Sequence, residues 1–127
     1  MNFAIREGLR LIANEGLENI WKRHNSNANK LWKGLEGLGM ELHVSREFRL
    51  PTLTTVKIPL GVNGDAFRNH LLKNFGIEIG KGLGALSSKL WRIGLMGFNS
   101  SEDNVDLLLN LFDTELKQFS IFDSSAF

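Results

Sequence analysis

Cysteine is absent from the 127 residues, which excludes disulfides, thiolate catalysis and cysteine-ligated zinc. No apolar run approaches the roughly 20 residues that a bilayer-crossing helix requires. An excess of one charge is also missing, since 15 Lys and Arg stand against 14 Asp and Glu, scattered along the chain. Phosphate binding needs a concentrated basic face, so neither nucleic acid nor a membrane is an expected partner. Residues 1–8 place Arg6 and Glu7 where a secretory leader carries its apolar segment. The expectation is an intracellular home, peroxisomal, mitochondrial or cytoplasmic. The closing Ser125-Ala126-Phe127 lacks the basic middle residue and terminal leucine of a peroxisomal tripeptide, so no signal selects among them. What remains is ordinary for a folded domain: 43% hydrophobic and 23% charged residues, in a length that suits one core.

The apolar period is helical at first. Leu17, Ile20, Trp21, His24, Ala28, Leu31, Trp32, Leu35 and Leu38 recur at steps of three and four, and Ile5, Leu9, Ile12 and Ala13 do the same before them. Gly16 marks a break between two helices, and Gly37 and Gly39 suit the end of the second. Strands are expected at 40–44, 54–60, 77–79 and 90–95, where residues alternate or are β-branched. Asp65 is a candidate cap for a helix with Phe67, Leu71 and Phe75 on one side. Ser100 with Asp103 reads as a capping box opening a last helix, whose buried stripe is Val105, Leu108, Phe112, Leu116 and Phe119. This order predicts an α+β fold: a long N-terminal helical arm, and a small, mostly antiparallel sheet with helices packed on one face. The arm is 1–39 and the sheet-bearing domain 40–127.

Few motifs carry chemistry. Gly76 and Gly80 are one residue too close for a phosphate-binding P-loop, and Gly80-x-Gly82-x-Gly84 leads into a strand rather than a helix, unlike a dinucleotide fingerprint. The loop therefore reads as backbone that needs positive φ or close approach. His24, His43 and His70 lack metal-ligand spacing, and no Gly-x-Ser-x-Gly elbow is present, so no metal site and no catalytic residue is assigned. Arg92 stands out. It sits in the apolar strand Leu90-Trp91-Arg92-Ile93-Gly94-Leu95, with Trp91 and Ile93 on the opposite face and Leu90 and Gly94 on its own. A guanidinium is costly to bury unpaired. It either joins a salt bridge, snorkels, or captures a carboxylate through its two-pronged fork.

Several ordered stretches resemble one family. Residues 5–19, beginning Ile5-Arg6-Glu7-Gly8, are similar to the helix joining the two domains of alanine–glyoxylate (serine–pyruvate) aminotransferases. Residues 49–56, Arg49-Leu50-Pro51-Thr52-Leu53-Thr54-Thr55-Val56, are similar to the entry strand of their small domain. Gly82-Leu83-Gly84 followed by Lys89-Leu90-Trp91-Arg92-Ile93-Gly94-Leu95-Met96-Gly97 resembles their most characteristic C-terminal motif, and 99–105 fits as well.

The resemblance implies the C-terminal small domain of a class V, fold-type-I aminotransferase. Such an enzyme uses pyridoxal phosphate to move an amino group between an amino acid and a 2-oxo acid. It implies that Arg92 holds the substrate α-carboxylate and that Gly82, Leu83 and Gly84 pass near the active-site mouth. It also implies that the Schiff-base lysine, the acid on the pyridine nitrogen and the phosphate cradle lie in a large domain, so this chain alone is expected to hold no cofactor and to be inactive. The implied partners are that large domain or a full-length relative, in a homodimeric parent. Lys81 stands where the family commonly has glycine and reads as a solvated lysine; Ala85, Ser87 and Ser88 also depart from the pattern. The alternative is a non-catalytic interaction or regulatory module that keeps this fold; a weaker one is an unrelated ferredoxin-like ligand-binding domain.

Overall fold

The structure is a computed structural model that describes residues 2–120; the tripeptide Ser125-Ala126-Phe127 lies outside the described residues. Helix α1 spans Asn2–Glu15 and α2 spans Leu17–Gly37. Gly16 divides them with a φ of +88°, a torsion that a side chain would strain. The long apolar stripe divides at the same end of the molecule. Ala28, Leu31, Trp32 and Leu35 of α2 are buried, whereas Leu17 and Trp21 are exposed and α1 buries no residue at all.

Three strands follow, β1 (Leu53–Lys57), β2 (Gly80–Lys81) and β3 (Leu90–Gly94), with α3 (Gly64–Phe75) between the first two and α4 (Glu102–Glu115) after the third. They pair antiparallel in the order β1-β3-β2. The expected α+β class and the antiparallel sheet are both present. One sheet face is dry: Thr54, Val56, Trp91 and Ile93 are buried against the helices. Phe67 of α3 lies 5.2 Å from both the Trp91 and Phe112 rings, which stand edge-on to each other at 89°. Each large side chain removed from water there contributes about 1.5–3 kcal/mol before entropy is counted. Trp32 ties α2 to this face by donating its Nε1–H to Thr54 Oγ1 at 2.8 Å. Among the described residues no helix is long and apolar enough to cross a membrane.

Several local expectations are corrected. Residues 40–44 form no strand; a single bridge, Leu42 to Val56, is all that pairs. The chain bends away after it, because Arg49 Nε takes the Val44 carbonyl at 2.9 Å and curls the segment into a 3-10 turn at Arg46–Phe48. Residues 77–79 are not a strand either. The Ile77 N–H is held by Leu71 O at the end of α3, and Ile79 O accepts from Arg68 Nε, so pairing starts only at Gly80. The cap of α3 is Asn63, whose Oδ1 accepts from the Ala66 N–H at 3.1 Å, not Asp65. The cap of α4 is Ser101, accepting from the Asn104 N–H at 3.2 Å. Ser100 instead turns inward, 1% exposed, to Asn27 Nδ2. The buried stripe of α4 also takes in Leu111, while Phe75 of α3 is 40% exposed rather than packed beside Phe67 and Leu71.

Candidate functional site

Arg92 stands on the sheet face opposite the core, which is exposed at Leu53 and Gly94 and covered at Leu90. Register sets Arg92 between Thr55 of β1 and Gly80 of β2, so the side chains at these three positions share one face. Leu53 and Gly94 continue the face, and Gly94 is exposed. The neighbours are small where the guanidinium lies. A Cβ built on Gly80 would touch the Arg92 side chain at 3.4–3.5 Å, so the two positions are in direct contact across the face.

The guanidinium is half-buried and aimed, not paired. Its Nε–H donates to the Lys81 carbonyl at 2.8 Å, which orients the plane of the group. Among the described residues no carboxylate bonds to it, and both Nη atoms keep their donors free. Of the three readings of Arg92, the internal salt bridge is therefore not the one adopted among these residues. Beside it, the Thr55 hydroxyl is enclosed without a hydrogen-bond partner, a condition that costs about 1–3 kcal/mol when a buried polar group stays unmet. A concavity of about 280 Å³ lined by Ile79, Ile93 and Leu108 reaches Gly94 but not Arg92. A ligand held by the arginine thus needs a second wall.

The glycine loop is held by contact rather than by chemistry. Gly82 is buried and donates its N–H to Leu90 O at 2.9 Å. A Cβ at this position would lie 2.1 Å from the Leu86 carbonyl oxygen, so only glycine fits. Leu83 is exposed, and Gly84 opens a 3-10 turn, Gly84–Leu86, at φ +55°. The loop continues directly from Lys81, whose carbonyl accepts from Arg92 Nε, which puts Gly82 next in the chain to the residue that orients the arginine. Thr55 and Gly80 were not singled out by the sequence; the pairing of three segments distant in sequence identifies them.

No described lysine fits a Schiff-base cofactor, which needs an enclosed amine whose charge is suppressed. Lys81 is exposed, and Lys57 pairs with Glu41. The Asp106 and Glu102 carboxylates beside Lys30 push its pKa up, the wrong direction for a nucleophilic amine. Among the described residues no cluster of three or more metal-ligating side chains occurs. His24 and His70 are engaged with Gly97 and Glu115, and His43 is exposed.

No family model matches the chain. Individual proteins do. The alanine–glyoxylate aminotransferase of Callithrix jacchus is 45% identical over 107 residues, 84% of this chain and 26% of that protein. The crystal structure of an alanine–glyoxylate aminotransferase from a Nostoc species superposes with a TM-score of 0.84 at 55% identity, covering 87% of this chain and 29% of that one. The ureidoglycine–glyoxylate aminotransferase of Bacillus subtilis superposes at 0.88 with 38% identity, over 92% of this chain and 30% of its own. The chain thus spans between a quarter and a third of the length of the proteins it matches. Two glyoxylate aminotransferases of different amino donors share its fold and much of its sequence, and the resemblance read from several ordered stretches holds over most of the chain. The chain belongs to the alanine–glyoxylate aminotransferase family, as a C-terminal piece of a class V aminotransferase.

Proposed function

We propose that this chain is the carboxylate-binding small domain of a pyridoxal-phosphate aminotransferase that passes an amino group between an amino acid and a 2-oxo acid. The observation that carries the reading is Arg92: a guanidinium on the sheet face opposite the core, oriented through Nε by the Lys81 carbonyl, with both Nη prongs free among the described residues. A planar, permanently charged fork matches a carboxylate in two parallel hydrogen bonds and thereby fixes the rotation of the substrate. Fixing that rotation selects which bond at the α-carbon is presented for reaction. The relatives' names support the class, since glyoxylate is itself a 2-oxo carboxylate.

Pyridoxal phosphate supplies the electron sink in such enzymes. The lysines of this chain do not fit it, so the cofactor, its lysine and its phosphate cradle belong to the rest of the parent. The arm 1–39 leads toward that part, and the domain 40–127 presents Arg92 to it. The parent is a homodimer in this reading. Gly82, Leu83 and Gly84 form part of the rim beside the arginine, and the chain alone is inactive.

The test is made in the intact parent enzyme. Arg92→Ala is expected to lower kcat/KM by about 30- to 1,000-fold, equivalent to roughly 2–4 kcal/mol of transition-state stabilisation. Arg92→Lys restores little, because an ammonium cannot reproduce the fork. Kinetics close to those of the parent in Arg92→Ala would return this arginine to a structural role.

A further inference from the structure

Few contacts fix the direction of helix α1: beyond the backbone bonds at its junction with α2, Asn19 Nδ2 donates to the Glu15 carbonyl at 2.9 Å. None of its residues is buried, and a glycine at positive φ joins it to α2. We propose that Arg23 and Glu15 are positioning residues that lock the angle between α1 and the sheet that carries Arg92.

The lock is a single guanidinium used on both sides. Arg23 Nε and Nη2 grip the two oxygens of Glu15, the last residue of α1, at 2.6 and 3.0 Å. Arg23 Nη1 donates in the other direction, to the carbonyls of Gly97 at 2.8 Å and Ser100 at 2.7 Å. Four of the five N–H donors of the group are thereby spent on two elements that do not otherwise bond through side chains. The turn they hold starts three residues past β3. His24 holds it again, its Nε2 accepting the Gly97 N–H at 3.0 Å while Nδ1 donates to Ile20 O at 2.8 Å. Asn27 Nδ2 reaches Ser100 Oγ at 3.2 Å. A continuous path results: α1, Glu15, Arg23, the 97–100 turn, β3, Arg92.

The chemistry favours arginine at this point. Carbonyls and a carboxylate must be met at once in one plane, which a fork does and an ammonium does not. The pair is charged on both sides: Arg23 holds the Glu15 carboxyl below its usual range, and Glu15 pushes the guanidinium further up. If α1 leads to the cofactor-bearing part of the parent, as proposed above, the lock sets where Arg92 stands relative to that part. This consequence rests on that reading; the lock itself does not.

Because the chain has no cysteine, Arg6→Cys on α1 and Asp113→Cys on α4 give two unique attachment sites for spin labels. Labelled protein is diluted with unlabelled chain so that only intrachain distances are read. Pulsed electron resonance is expected to give one narrow distance distribution, broadened in Glu15→Gln and again in Arg23→Lys. Glu15→Gln leaves the Arg23 contacts to the turn intact and sits outside the core, so it tests the lock without threatening the fold. A distribution equally narrow in both variants overturns the proposal. In the intact parent, Glu15→Gln is expected to raise KM for the amino acid by about tenfold with a smaller change in kcat, the signature of a displaced rather than a deleted binding group. A broadened distance with unchanged KM would leave the lock standing and count against Arg92 as the carboxylate site.

Discussion

At the scale of single residues, hydrogen-bond chemistry decides states that composition leaves open. The two partnered histidines are bound in opposite senses. His24 faces a carbonyl through Nδ1 and an N–H through Nε2, so its proton sits on Nδ1 and its lone pair on Nε2. His70 faces the Glu115 carboxylate through Nε2 at 2.8 Å and the Asn74 amide through Nδ1 at 2.9 Å, so its proton sits on Nε2. Nitrogen-15 spectra of the two neutral rings are expected to show them as different tautomers. Identical tautomers at both positions would contradict the described contacts. Arg92 follows the same logic in reverse: its one internal bond is to a backbone carbonyl, which orients the group but leaves its charge unmet.

At the scale of elements, short side chains at helix starts fix where each helix begins, and here they differ from the first-glance choice by one or two positions. Asn63→Ala and Ser101→Ala each remove an oxygen that accepts from a first-turn N–H. Each is expected to lower stability by about 1 kcal/mol, within a range of roughly 0.5–2, measured by urea denaturation with an unchanged m-value. Asp65→Ala is expected to cost less, since its carboxylate meets only the Arg68 guanidinium on the surface. An Asp65→Ala loss that exceeds the Asn63→Ala loss would show that the cap is misassigned. Sequence showed that a helix starts near Asp65, but not which polar side chain turns back toward it. Asn63 and Asp65 are both good caps by type.

At the scale of the whole molecule, the described chain leaves one end unfinished. Phe3 is 85% exposed, Ile5 57%, Leu9 61% and Trp21 57%, and all lie on α1 or the first turns of α2. An apolar surface of that kind drives association when nothing covers it. The isolated chain is expected to elute as dimers or larger species in size-exclusion chromatography with light scattering, and to bind an apolar dye. A strictly monomeric, dye-negative chain would argue against a missing neighbour on α1. Arg92 likewise stands half-buried on a sheet face, and the concavity of about 280 Å³ that takes in Gly94 does not reach it.

The sequence by itself determined the features that arise within a few residues or from composition. These include two helices broken at Gly16, an arginine in an apolar strand, a glycine loop before it, and the family, which several ordered matches carried. Periods and torsions are local, so local residues specify them. The tertiary structure alone decided which strand face lies opposite the core, that Thr55 and Gly80 flank Arg92, and that Lys81 rather than an acid orients it. It also moved the edge strand from 77–79 to 80–81, because Arg68 and Leu71 claim the backbone of the earlier segment. Most of these depend on residues 11 or more positions apart in the chain, such as Arg68 with Ile79 or Arg92 with Lys81. No pattern of period two or 3.6 encodes which distant segment will supply the partner.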